Sequence, residues 1–347
     1  MTTTITKENL YKKVNLKPAE YKSDQEVRWC PGCGDHAIYN ALLKTWSELG
    51  IPKEKIAVIS GIGCSSRFPY YVDVYGFHGI HGRAGAIASG FKTARPDMSV
   101  WQITGDGDAL AIGGNHLIHE CRRNIDLNII IFNNEIYGLT KGQYSPTSRF
   151  GQVTKTSPYG TIERPFNIGQ LVLGANVSFF ARTIDAYIKE SVEVYKAAEY
   201  HKGTSVVEVL QNCVIYNDGA HAEITNKATR KERQIWLKHG EPMIFGENDD
   251  KGLILENERF KVVKIGENGI TEKDILVHDA KSDNLGLHLM LATMSYPEYP
   301  IAMGVIRDVE RPTYEELMES QIEEIRQKSK IKTVQDLLNS GNTWEIK

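Results

Sequence analysis

The stretch Val100-Trp-Gln-Ile-Thr-Gly-Asp-Gly-Asp108, with the segment that follows it to Tyr137, constrains this chain more than any other. β-Branched and aromatic residues run straight into glycines, which predicts a buried strand ending in a Gly-Asp-Gly turn where backbone can come close to a ligand. A helix should follow. Leu110, Ile112, Leu117, Ile118 and Cys121 share one broad helical face, and Arg122-Arg123 suits the negative C-terminal end of that helix. Ile129 to Phe132 reads as a second strand. A strand, helix, strand run of this length implies a right-handed crossover between parallel strands. Asp106 and Asn134 would then emerge together at the carboxyl edge of an α/β sheet, where such sheets bind ligands.

A carboxylate and an amide carbonyl are hard oxygen ligands. Mg²⁺ takes few protein oxygens and completes its shell with water and phosphate, so the pair suits a metal-diphosphate anchor better than an all-protein cage. Gly-Asp-Gly alone is a turn. The combination of Gly105-Asp106-Gly107, a helix, a strand and Asn133-Asn134 is more specific.

Five cysteines bear on the same edge. Cys30 and Cys33 form a CxxC in Trp29-Cys-Pro-Gly-Cys-Gly34, just before a helix expected over 35–49. Cys64 follows a strand over 56–60, and Cys213 follows one over 205–210. Four thiolates serve a Cys₄ zinc site or a [4Fe–4S] cluster, and spacing alone does not separate the two. Gly32, Gly34 and Gly63 favour the cluster slightly, because they let backbone N–H groups approach the sulfurs. Cys121 reads as a buried small hydrophobe on its helix.

Gly61-Ile-Gly-Cys-Ser65 is also a turn of exposed N–H groups that can hold a phosphate. His78-Gly-Ile-His-Gly-Arg83 precedes a small-residue helix over 84–94; His81 and Arg83 are candidates to orient a carboxylate or the cofactor. The polar segment Tyr137 to Ser148 is the expected loop over a reactive cofactor, and it carries Lys141.

The remainder bounds the function. With 41% hydrophobic residues, 24% charged residues and a net charge of −3, the 347-residue chain can bury a core and gives no reason to expect nucleic acid. No apolar stretch reaches the roughly 18 residues needed to span a membrane. The start lacks the pattern of a secretory signal, so the reducing cytoplasm is expected. Residues 1–25 read as an N-terminal arm and 26–220 as the binding domain. Helix (168–173), strand (177–181), helix (184–200) and strand complete that domain. Residues 221–347 read as a C-terminal extension with partner contacts: hairpin-like runs at 253–255 and 260–265, a prolyl stretch over 295–312 and a helix over 314–328.

With these residues placed, the chain resembles the β subunit of 2-oxoacid:ferredoxin oxidoreductases, most closely the 2-oxoglutarate type. The resemblance covers about 24–246 and rests on Val27 to Gly34, Gly61 to Ser65, His78 to Arg83, Gly105 to Ala109, Tyr137 to Gln143 and His239 to Gly246. It implies a thiamine-diphosphate-binding fold, with Mg²⁺ held by Asp106, Asn134 and the backbone carbonyl of Ile136. Gly61, Gly63, Cys64, Ser65, His81, Gly105, Asp106, Gly107, Asp108, Asn134, Ile136, Tyr137, Gly138, Leu139 and Thr140 would line the cofactor. Cys30, Cys33, Cys64 and Cys213 would hold one [4Fe–4S] cluster, with His81, Arg83 and Lys141 as catalytic candidates. The implied reaction is oxidative decarboxylation of 2-oxoglutarate with coenzyme A, giving succinyl-CoA and CO₂ and passing electrons to ferredoxin. An α subunit would supply the pyrimidine-side glutamate in an (αβ)₂ assembly. Three alternatives stand beside this reading: pyruvate or another 2-oxoacid as substrate, a non-redox thiamine-dependent decarboxylase subunit, and an electron-transfer or zinc-scaffold protein.

Overall fold

The computed structural model describes residues 11–346. In chain order the elements are α1 (Asp35–Leu49), β1 (Ile56–Ser60), β2 (Tyr75–His78), α2 (Ala84–Ala94), β3 (Ser99–Gly105), α3 (Asp106–Leu110), α4 (Gly114–Arg123) and β4 (Asn128–Asn133). They continue with α5 (Ile168–Gly174), β5 (Phe179–Ile184), α6 (Ile188–Tyr200), β6 (Ser205–Leu210), α7 (Ala222–Thr225), α8 (Arg230–Arg233) and β7 (Gln234–Leu237). The C-terminal part adds β8 (Ile244–Phe245), β9 (Lys251–Glu256), β10 (Arg259–Lys264), α9 (Leu285–Thr293), β11 (Ile301–Asp308), α10 (Tyr314–Lys328) and α11 (Val334–Leu338).

Eight strands form one sheet in the order β2-β1-β3-β4-β6-β5-β11-β7. Its first six strands are parallel throughout, and both faces are covered. That explains the unbroken apolar runs: all six residues of β4 are buried, with Ile129 and Ile131 in one core and Ile130 and Phe132 in the other. α2, α4, α5 and α9 pack on the first face, and α1 and α6 on the second. The expected crossover is present, since β3 and β4 pair in parallel with Gly105 opposite Phe132. Asp106 and Asn134 therefore leave adjacent strands at one edge.

The structure differs from the sequence reading chiefly in four places. Asp106 does not sit in an open turn, because α3 starts on it directly. The single helix expected afterwards is two, broken at 111–113, where Gly113 packs so closely that a Cβ would lie 2.4 Å from the Asp108 carbonyl oxygen. The break changes the helical phase, so Leu110, Leu117 and Cys121 are buried while Ile112 and Ile118 are 56% and 38% exposed. The strand expected over 177–181 runs instead from Phe179 to Ile184. Finally, the prolyl stretch contains β11, which pairs antiparallel with β5 and parallel with β7. Residues beyond 220 thus complete the main sheet as well as forming the small β10-β9-β8 sheet.

Residues 1–10 of the expected arm lie outside the described residues. From Tyr11 the chain lies on the domain: Val14 N–H donates to the Gly50 carbonyl at 2.9 Å, and the buried Tyr21 hydroxyl donates to the Ile51 carbonyl at 2.6 Å. At the other end Thr313 caps α10 and Glu315 accepts from the Asp126 N–H at 3.3 Å. Beyond that root the helix is exposed, including Leu317, Ile322 and Ile325. Among the described residues no helix is long and apolar enough to cross a membrane.

Candidate active site

Asp106, at the start of α3, is buried. Ser145 and Thr147 each donate a hydroxyl at 2.5 Å to one of its oxygens, Oδ2, which leaves Oδ1 free of hydroxyl donors. No cationic side chain pairs with it among the described residues. Burial pushes its carboxyl up to about 6, against the pull of those hydroxyls and of the Gly107 N–H. A buried carboxylate with hydrogen bonds but no counter-charge fits a bound cation.

Asn134, the other candidate oxygen ligand, follows the adjacent strand β4. Asn134 Oδ1 accepts from Ile136 N–H at 3.1 Å, and Asn217 Nδ2 donates to the Asn134 carbonyl at 2.8 Å. This tight turn holds Glu135 at φ 57°, a left-handed conformation that a non-glycine residue adopts at a cost of about 1–3 kcal/mol. Arg149 fastens it by pairing with Glu135 at 3.1 Å, and Ser148 donates to the Glu135 carbonyl at 2.6 Å. Asn133 faces away, donating to Glu208 at 2.8 Å.

Asp108, expected among the cofactor-lining residues, is held by three protein donors. Its Oδ1 accepts from Ile62 N–H at 3.1 Å and Gly82 N–H at 2.8 Å, and its Oδ2 accepts from the Thr104 hydroxyl at 2.9 Å. Both oxygens are taken by protein donors. The carboxylate therefore ties the Gly61–Gly63 turn and the His81–Gly82 loop to the end of β3. Gly61 is required for this, since a Cβ there would lie 1.9 Å from Asp108 Oδ2. Gly63 has φ 132° and nothing within 4 Å of a Cβ position, an open backbone suited to a phosphate. Ser65 and Gly105 lie side by side: a Cβ on Gly105 would be 3.5 Å from the Ser65 hydroxyl.

The loop after Asn134 closes over this edge. Tyr137 N–H donates to the Gln143 carbonyl at 2.9 Å, and its hydroxyl donates to the Gly107 carbonyl at 3.1 Å. Gly107 must be glycine, because a Cβ would lie 2.1 Å from the Tyr137 ring. Ile136 is buried, Leu139 is exposed, and Thr140 donates to Gln143. Lys141 is exposed at φ 78°, and its ammonium has no ion pair or hydrogen bond among the described residues. Arg149 is engaged by Glu135 and the Ala220 carbonyl, and Arg83 reaches the carbonyls of His81 and Ile112 at 3.5 Å. His81 is exposed. His78 is the more enclosed histidine, its Nδ1 3.0 Å from the Tyr70 hydroxyl, and burial pulls it below the ordinary imidazole range.

The four cysteines gather at the same edge. Trp29 Nε1 donates to the Cys64 carbonyl at 2.7 Å, joining the first two cysteine segments. Gly34 N–H donates to the Asn212 carbonyl at 3.2 Å, and Asp185 accepts from Asn212 N–H at 2.8 Å, joining the first and third. Gly34 leaves space for Asp185, whose Oδ2 would be 1.9 Å from a Cβ. Cys30, Cys33, Cys64 and Cys213 are all free thiols, and Cys121 lies apart, fully buried on α4. Burial raises Cys64 to about 12, helped by Asp35, Cys213 and Cys30; Cys33 is raised likewise and lies near Cys213 and Cys64. Among the described residues no three His, Cys, Asp or Glu side chains close on a point that would hold one metal ion. The two halves of the site meet at Gly138, where a Cβ would lie 3.5 Å from Cys213 Sγ and 3.6 Å from Cys64 Sγ.

Comparison with known proteins identifies the family. Residues 61–209 match the family of the thiamine pyrophosphate enzyme C-terminal, TPP-binding domain, which spans the Gly61 turn through β6. The 2-oxoglutarate oxidoreductase subunit KorB of Mycobacterium tuberculosis is 47% identical over 95% of this chain and 88% of its own. The chain belongs to the β-subunit family of 2-oxoglutarate:ferredoxin oxidoreductases. Archaeal relatives match a shorter stretch: the 2-oxoglutarate synthase subunit KorB of Archaeoglobus fulgidus is 46% identical over 53% of this chain and 69% of its own. A solved 2-oxoglutarate:ferredoxin oxidoreductase of Magnetococcus marinus, with 2-oxoglutarate, coenzyme A and succinyl-CoA bound, superposes with a TM-score of 0.76 at 33% identity, covering 95% of this chain and 97% of that one. Within this family fold, Ser145, Thr147, Asp185 and Asn217 had escaped the sequence reading. The run Ser145-Pro-Thr-Ser148 after the Asn-Asn turn was the one available signal.

Proposed function

We propose that this chain, with a partner α subunit, catalyses CoA-dependent oxidative decarboxylation of 2-oxoglutarate to succinyl-CoA and CO₂ and passes the electrons through one [4Fe–4S] cluster to ferredoxin. The observation that carries the reading is the contact at Gly138, which sets the Tyr137–Gln143 loop between the Asp106–Asn134 edge and two cysteine sulfurs. A non-redox decarboxylase has no use for thiols there, and a zinc scaffold has no use for a cation anchor.

Thiamine diphosphate, when bound, supplies the electron sink for decarboxylation. The chain's residues do the rest. Asp106, Asn134 and the Ile136 carbonyl would hold Mg²⁺ for the diphosphate, while Ser145 and Thr147 fix the Asp106 carboxylate. Gly63, with its open backbone, offers its N–H group to the phosphates. Cys30, Cys33, Cys64 and Cys213 would hold the cluster and supply the one-electron acceptor. Lys141, unpaired in an otherwise paired neighbourhood, receives the distal carboxylate of 2-oxoglutarate, because an ionised carboxylate in a closed site needs a cation. Arg83 and His81 flank the entrance.

The chain contributes one thiamine-type sheet, so the pyrimidine-side glutamate comes from the α subunit in an (αβ)₂ complex. The C-terminal extension provides further partner contacts. The cytoplasm, which keeps free thiols reduced, is the proposed location. The test is anaerobic ferredoxin reduction by the assembled complex with a panel of 2-oxoacids, with and without coenzyme A. Rapid turnover of 2-oxoglutarate that requires coenzyme A supports the reading; a preference for pyruvate overturns the substrate, and CO₂ release without electron transfer overturns the redox role.

A further inference from the structure

Gln211 follows β6 directly, is fully buried, and lies two residues before Cys213. Its amide nitrogen is 3.3 Å from Cys33 Sγ and 2.7 Å from the carbonyl oxygen of Asn212. Both neighbours are acceptors once Cys33 is a thiolate, so only one orientation of the amide is tolerable. Nε2 faces the sulfur and the carbonyl. Oε1 turns away, where it is buried without a hydrogen-bond partner among the described residues.

An unpaired buried carbonyl is costly, and a leucine would fill this space without that cost. The side chain is nevertheless tightly placed. A Cβ on Gly34 would come within 3.0 Å of Gln211 Cγ. The Asn212 carbonyl that receives the amide also receives the Gly34 N–H, and Asp185 holds the Asn212 N–H. Every arm of this arrangement leads to a cysteine segment. Among the described residues Gln211 is the one side-chain donor to a cysteine sulfur.

We propose that Gln211 tunes the iron–sulfur cluster: its amide N–H donates to the Cys33 thiolate and raises the reduction potential. The proposal rests on the reading of the four cysteines as cluster ligands. One-electron reduction adds negative charge that spreads onto the thiolate sulfurs. An N–H dipole aimed at one of them stabilises the reduced state more than the oxidised state, so the couple moves to more positive potential.

The experiment is a redox titration of the anaerobic αβ complex followed by the paramagnetic signal of the reduced cluster, beside iron analysis. Gln211→Leu and Gln211→Met, both without a donor and of similar volume, are compared with wild type. Both variants are expected to keep wild-type iron and to shift the midpoint to more negative potential. An unchanged midpoint at full iron content overturns the proposal. Loss of iron from both variants also overturns it, because a tuning bond to one of four ligands is not needed to assemble the cluster. A wild-type complex without iron fails the cluster reading itself, and is distinguished by that first measurement.

Discussion

Removing the carboxylate of Asp108 should detach two cofactor loops from the sheet without touching the cofactor. Its Oδ1 holds the N–H groups of Ile62 and Gly82, and the residue is buried. Asp108→Ala leaves both amides facing a hole. A hydrogen bond to a charged acceptor contributes about 1.5–3 kcal/mol, so losing two costs roughly 3–6 kcal/mol of local order. Water entering the space recovers part of this. If about 2 kcal/mol of the remainder must be supplied when the cofactor reorders the loops, the Kd for thiamine diphosphate rises by roughly 30-fold at about 1.4 kcal/mol per decade. Asp108→Asn keeps the oxygen that serves both amides and turns an NH₂ toward the Thr104 hydroxyl, which can accept. Its Kd should change less than about tenfold. Isothermal titration of the assembled complex with thiamine diphosphate and Mg²⁺ measures both. Wild-type affinity in Asp108→Ala, or equal losses in the two variants, would refute the clamp.

Other perturbations separate the parts of the site. Cys213→Ser, like changes at Cys30, Cys33 or Cys64, should lower iron per chain, whereas Cys121→Ser, on α4 away from the edge, should retain it; the reverse pattern would break the ligand set. Lys141→Met should raise KM for 2-oxoglutarate by the equivalent of about 1.5–3 kcal/mol while pyruvate turnover stays equal or improves, and equal losses would indicate a general loop defect. Burial raises Glu120 to about 8, where its carboxyl lies beside Gln102 and Ser89 and a Cβ on Gly85 would be 2.7 Å from it. The native state therefore keeps a proton that the unfolded chain releases above about 4.5, so this group lowers stability as pH rises from about 4.5 to 8. Glu120→Gln should consequently raise Tm more at pH 8 than at pH 6, and an equal effect at both would contradict the assignment.

The features legible in the sequence were those written in short local patterns. The apolar run of β4, the small-residue helix α2 and the helix after the CxxC motif fell within a residue or two of expectation, because periodicity and turn glycines determine them. The pair Asp106 and Asn134 could be placed at one edge because a parallel crossover leaves no other arrangement. What escaped depended on partners distant in sequence. Nothing local marks Ser145 and Thr147 as the support of a carboxylate 39 and 41 positions away. Nor does local pattern reveal that Asp108 ties two loops to the end of β3, or that α3 and α4 break where Gly113 meets Asp108. β11 was hidden in a prolyl stretch because its strand character comes from pairing with β5, 120 residues or more upstream.

The most direct test of the account is whether substrate can reduce the cluster through the Asp106 edge. The anaerobic αβ complex, loaded with thiamine diphosphate and Mg²⁺, is mixed with 2-oxoglutarate and coenzyme A, and the paramagnetic signal of the reduced cluster is recorded in wild type and in Asp106→Ala. Wild type should develop the signal. Asp106→Ala should remain silent with substrate and yet develop it with dithionite, which reduces the cluster directly. A substrate-driven signal of wild-type size in Asp106→Ala would contradict the anchor, and the absence of any signal in dithionite-treated wild type would contradict the cluster.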